Sequence, residues 1–125
     1  MRKILAFLLA ACLLVSAAPA LALNNDDAAL ADNWYEIFVY SFADGNGDRI
    51  GDFVGLKEKL PYLQSLHVDG VWLMPIHPSP SYHKYDVTDY CAIDPQYGTM
   101  EDFQAFLEAA HEAGIKVILD LVVNH

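Results

Sequence analysis

The stretch DGNGDRIGD, residues 44–52, sets Asp44, Asn46, Asp48 and Asp52 close together and separates them with glycines. Carboxylate and amide oxygens at alternate positions are the donors that a hard cation such as Ca2+ takes. The spacing opens like an EF-hand, whose loop then requires glycine at its sixth position and glutamate at its twelfth. Arg49 and Gly55 stand at those places, so the EF-hand reading fails. A metal loop of another kind and a solvated acidic turn both stay open on spacing alone. Two further stretches carry chemistry. YHKYDVTDY, residues 82–90, interleaves aromatic rings with carboxylates. Rings stack on the apolar face of a sugar while carboxylates accept from its hydroxyls, although the same composition also serves a loop packed on itself. Asp120 sits inside the apolar run VILDLVV, with Asn124 and His125 just after it. A carboxylate there is costly to bury unless it is hydrogen-bonded or paired. It is either satisfied by neighbouring backbone or presented to a ligand.

The elements that position these residues alternate. WYEIFVYSF (34–42) is β-branched and aromatic and predicts a buried strand. Phe53, Leu56, Leu60 and Leu63 lie on one face of a helix running to about Leu66. Asp52 is placed to cap it, and Pro61 should kink it or split it in two. VDGVWLMPI (68–76) predicts a second strand, followed by a long loop from about His77 to Gly98. Thr99 then caps a second helix whose buried face is Phe103, Phe106, Leu107 and Ala110, and Gly114 ends it. IKVILDLVV (115–123) predicts a third strand, apolar enough to be covered on both faces. This order implies parallel strands with helices outside, an α/β fold. With the third strand left as an edge, the expectation is the N-terminal portion, about three β/α units, of a (β/α)8 TIM barrel. Ligands of such barrels gather where strands end and loops begin, and all three polar stretches fall there.

Residues 1–22 read as a secretory signal peptide: a basic start at Arg2 and Lys3, an apolar run, and small-residue cleavage sites near Ala18–Ala22. LAAC, ending at Cys12, is similar to a lipoprotein signal, but the apolar run continues past it, so free secretion is the expectation. Residues 23–33 read as a flexible mature N-terminus and 34–125 as an incomplete barrel domain. With 17 acidic against 7 basic side chains the net charge is −10, a poor match for nucleic acid, which needs clustered Lys and Arg. No stable membrane span is expected once the leader is removed, and the protein is expected to be a monomer. Cys91 is the one cysteine outside the leader, so no internal disulfide can form.

DLVVNH (120–125) resembles the first short signature of glycoside hydrolase family 13, the α-amylase family. GVWLMPIHPSPSYHKYDVTDY (70–90) resembles that family's second strand and following loop, and SFADGNGDRIGD (41–52) resembles the metal loop of its oligo-1,6-glucosidase-like and intermediate α-amylase branches. The resemblance implies a barrel that cleaves α-glucosidic bonds with retention. It implies that Asp120 and His125 hydrogen-bond the sugar before the scissile bond and that Tyr85 is the platform beneath it. It further implies a structural Ca2+ held by Asp44, Asn46, Asp48, the Ile50 carbonyl and Asp52, and a role for Asn124 in calcium binding between the barrel and an inserted domain. Tyr82 stands where oligo-1,6-glucosidases usually carry aspartate, which favours a secreted α-amylase acting on starch or maltooligosaccharides. His67 replaces the glycine common at the end of the first helix, and Cys91 a common tyrosine. The family's catalytic carboxylates come from later strands, so none is assigned here, and the 125-residue chain alone is expected to be inactive and to fold poorly. An α-glucosidase or glucosyltransferase of the same family, and a non-catalytic calcium- or sugar-binding module, are the alternatives.

Overall fold

The apolar stretches pair in parallel in the computed structural model, which describes residues 32–123. The expected leader, most of the expected N-terminal tail, Asn124 and His125 lie outside the described residues. Strands β1 (Trp34–Ile37), β2 (Gly70–Leu73) and β3 (Lys116–Leu119) form one sheet in the order β1-β2-β3. Tyr35 is level with Val71 and Val71 with Val117, and Ile37 pairs with Leu73. These residues turn toward the helices and join the core. Glu36, Trp72 and Ile118 share the opposite face, where Trp72 is 41% and Ile118 46% exposed. The expectation that the third strand is covered on both faces is thus corrected: helices cover one face, and the other is open among the described residues.

The first strand is shorter than its composition predicts. Ile37 gives its carbonyl to Met74 N–H at 3.0 Å, and the chain then turns into a short helix α1 (Val39–Phe42). Tertiary contact overrides β-propensity here. The Tyr40 carbonyl accepts from Gly51 N–H at 2.7 Å and the Ala43 carbonyl from Asp52 N–H at 3.0 Å, so the acidic loop folds back over the run. Gly51 is obligatory in that approach, since a Cβ would sit 1.8 Å from the Val39 carbonyl oxygen.

The first predicted helix is split as Pro61 requires, into α2 (Phe53–Glu58) and α3 (Leu60–Ser65), with the proline in the first turn of the second piece. Phe53, Leu56, Leu60 and Leu63 are all buried, as their spacing predicts. Helix α4 (Met100–Glu112) opens with a reciprocal capping box between Thr99 and Asp102. Phe106 and Ala110 are buried, and Phe103 packs at the edge of the same core. The Phe53 ring lies 5.9 Å from Phe106 and 5.1 Å from Phe103, locking α2 onto α4.

Two helix ends close by the same device. Gly114 N–H donates to the His111 carbonyl and Ile115 N–H to the Ala110 carbonyl. His67 N–H donates to Gln64 and Val68 N–H to Leu63, with His67 at φ +55° where glycine is usual. Asp32 and Asn33, the last residues of the expected tail, are tied to the fold. Asp32 pairs with Lys116, and Asn33 N–H donates to Asp69 at 2.8 Å.

Candidate functional site

The loop from β2 to α4 bends back over the strand ends and brings two predicted residues together. Asp120 continues β3, its N–H donating to the Leu73 carbonyl at 2.8 Å, so its side chain leaves the sheet at the C-terminal edge. The Tyr85 hydroxyl donates to Asp120 Oδ2 at 2.7 Å. Of the two readings of a carboxylate in an apolar strand, this is the one that faces a loop, since its partner is a hydroxyl 35 residues away in sequence. Tyr85 also lines an open cleft of about 640 Å3 with Pro80, Asp86, Thr88, Tyr90 and Val122. The loop is held over the strand ends by the Tyr90 hydroxyl donating to the Val122 carbonyl and by Thr88 N–H donating to Pro78 at 2.9 Å.

The bond to Asp120 pushes the Tyr85 phenol up to about 12, with burial and the charges of Asp120 and Glu36 adding to it. A folded-state value above that of the unfolded chain means that Tyr85 supports the fold as the neutral phenol. Its contribution is complete below about pH 10, where free tyrosine ionises, and is lost as pH rises through the folded value. Urea midpoints measured from pH 8 to 12 should therefore fall more steeply for the parent chain than for Tyr85→Phe. Parallel curves would show that the bond carries no stability.

The acidic loop is a run of side-chain-to-backbone bonds. Asp44 Oδ1 accepts from Asn46 and Gly47 N–H and its Oδ2 from Arg49 N–H. Asn46 Oδ1 accepts from Asp48 N–H, and Asp48 Oδ1 from Ile50 N–H. The amides of Gly47 and Arg49 hold the Asp44 carboxyl below the usual carboxylate range, so it stays an anionic donor. Asp52 is buried and does different work. Its Oδ1 caps α2 through Gly55 N–H at 2.7 Å, and its Oδ2 accepts from Gly45 and Asn46 N–H. Among the described residues no three His, Cys, Asp or Glu side chains gather into a ready-made metal cluster. The loop offers side-chain oxygens of the kind calcium takes, and a carboxylate oxygen that accepts an N–H keeps a further lone pair. The donor set fits the ion in kind. Ile50 lies half-buried against the core.

Spacing alone did not single out Lys84 and Asp94. They form a buried pair, Lys84 Nζ to Asp94 Oδ2 at 2.8 Å, beneath the loop that carries Tyr85. A lysine amid serines and tyrosines reads as solvated, and nothing in the spacing signals its burial.

Residues 36–125 match the family described as alpha amylase, catalytic domain. The chain belongs to the α-amylase family. Its parallel sheet with outer helices is the N-terminal portion of that family's (β/α)8 barrel. Alpha-amylase 3 of Dictyoglomus thermophilum is 62% identical over 92 residues, covering 74% of this chain and 18% of that protein. The 4-alpha-glucanotransferase of Thermotoga neapolitana is 52% identical over 91 residues, covering 73% of this chain and 21% of that protein. The solved structure of Eubacterium rectale Amy13B matches with a TM-score of 0.73 at 50% identity, over 83% of this chain and 22% of that one. The chain thus spans about a fifth of the length of these family members.

Proposed function

We propose that this chain forms the sugar-contacting front of a retaining α-amylase-type glycosidase that hydrolyses α-1,4-glucosidic bonds in starch or maltooligosaccharides. The observation that carries the reading is the Tyr85–Asp120 bond at the C-terminal edge of the sheet, in a chain of this family. Asp120 accepts from sugar hydroxyls next to the scissile bond, His125 contributes a second contact, and the Tyr85 ring supports the apolar face of that sugar. The nucleophile and the acid/base belong to later strands. The signal-like residues 1–22 support export, which suits attack on a polymer outside the cell.

Asp44, Asn46, Asp48, the Ile50 carbonyl and Asp52 would hold a structural Ca2+, with Asn124 serving a second calcium position. Bound there, the ion would supply a fixed charge joining the loop after β1 to the start of α2. It takes no part in bond cleavage.

The test is a chimera in which residues 34–125 replace the matching segment of the Dictyoglomus Alpha-amylase 3. It should release reducing sugar from maltoheptaose, with the new anomeric carbon in the α form by NMR. A folded chimera that binds no oligosaccharide would overturn the reading. Transfer of glucosyl units to an added acceptor, in place of hydrolysis, would favour the transferase activity named for the Thermotoga relative.

A further inference from the structure

Lys84 lies immediately before Tyr85, and the two side chains part company. The Tyr85 hydroxyl reaches Asp120, whereas Lys84 turns inward and is only 2% exposed. Its ammonium lies 2.8 Å from Asp94 Oδ2, donates to Gln96 Oε1 at 2.6 Å, and sits 5.4 Å from the centre of the Tyr97 ring. A charge so buried persists only where it is paired and its donors are used. All three neighbours belong to the segment just before α4. Asp94 is itself anchored at the end of the second strand region: its N–H donates to the Ile76 carbonyl at 2.9 Å, and its Oδ1 accepts from Gln96 N–H.

The backbone gives the pair its consequence. Lys84 has φ +66°, a conformation uncommon for any residue with a Cβ and one that nothing in a lysine favours. The tight turn immediately before Tyr85 is closed by Lys84 N–H donating to the Ser81 carbonyl at 3.3 Å. The residue that makes this turn is thus the one whose far end is fixed in the interior by Asp94.

We infer that Lys84, clamped by Asp94, is a positioning residue: it holds the turn that aims the Tyr85 hydroxyl at Asp120. The inference rests on the reading of Tyr85 as the sugar platform for its functional meaning, but its test uses no sugar. Failure of one therefore leaves the other standing.

The experiment follows the ionisation of Tyr85 by NMR of ring-labelled tyrosine in the 125-residue chain, with Tyr85→Phe identifying the signal. The phenol faces Asp120, Glu36 and His83, which stay unchanged throughout. The variant is Lys84→Met combined with Asp94→Asn, so that no charge is left unpaired in the interior. In the parent, Tyr85 should titrate near 12, and in the double variant its midpoint should fall toward 10, the free-tyrosine value. Amide protection at Phe106 and Ile115 should persist. Three results would each overturn the inference. The midpoint could stay high in the double variant with the core protected. Core protection could vanish together with the shift, making the pair a general support of the fold. Or Tyr85 of the parent could titrate like free tyrosine.

Discussion

Incubated with soluble starch, the purified 125-residue chain should release no reducing sugar above the buffer blank, at any pH from 4 to 9. Retaining hydrolysis needs a carboxylate nucleophile and a protonated carboxylic acid about 5 to 5.5 Å apart across the glycosidic bond. The acid must have its ionisation raised to be protonated near neutrality, through burial or a neighbouring negative charge. The fold does the opposite to the acids it visibly shifts: Asp44 and Asp102 are both held down by hydrogen bonds from backbone amides. Asp120 is engaged with the Tyr85 hydroxyl and is suited to receive a sugar hydroxyl, not to attack a carbon. Enzymes of this power accelerate by about a million-fold or more, which a binding surface without the carboxylate pair cannot supply. Oligosaccharide binding without turnover is the outcome expected of the front of a site. A reducing-end assay decides it. Turnover that co-purifies with the chain and disappears in Asp120→Ala would require a catalytic pair among these residues.

Much of this arrangement was legible because local chemistry and tertiary structure agree. Asp52, Thr99 and Gly114 are caps by residue type, and each caps. Pro61 cannot donate from the helix interior, and the helix divides there. Leucines at helical spacing fill the core. What escaped was decided by contacts distant in sequence. The aromatic run after Ile37 keeps its β-branched composition but becomes α1, because Gly51 and Asp52 take its carbonyls. The burial of Lys84 depends on Asp94, ten residues on, around a turn of positive φ that no lysine advertises. The third strand reads as doubly covered because its sequence is written for a closed barrel. In this chain Ile118 and Leu119 are 46% and 41% exposed, on an edge and a face that the rest of such a barrel would cover. Asp120 directly follows β3 and Tyr85 lies in the loop after β2, so the topology brings both to the C-terminal edge of the sheet, where the hydroxyl meets the carboxylate.

The acidic loop separates two roles that its sequence merges, and one pair of substitutions tells them apart. Asp52→Ala should destabilise the chain by about 2 kcal/mol in chelator, and by more with calcium present because it also removes a metal ligand. It removes an N-cap worth roughly 1 kcal/mol and strands one further amide donor at about 1 kcal/mol or more. The cap bond is from Gly55 N–H at 2.7 Å and the stranded donor is Gly45 N–H at 3.1 Å, around a carboxylate that is 2% exposed; Asn46 N–H, at 3.2 Å, keeps its bond to Asp44 Oδ1. A loss of that size is a large share of the 5 to 15 kcal/mol typical of a domain. Asp48 is different, exposed and closing a single turn through Ile50 N–H at 2.7 Å. In the presence of a chelator Asp48→Ala should change stability by no more than about 0.5 kcal/mol. With calcium at a hundred times its dissociation constant the parent should gain about 2.7 kcal/mol and Asp48→Ala should gain nothing. Urea denaturation of the two variants and the parent, each with calcium and with chelator, gives all six values. Calcium stabilisation surviving Asp48→Ala would remove the loop from the metal site. A mild Asp52→Ala phenotype in chelator would mean that the loop amides find water as readily as they find the carboxylate.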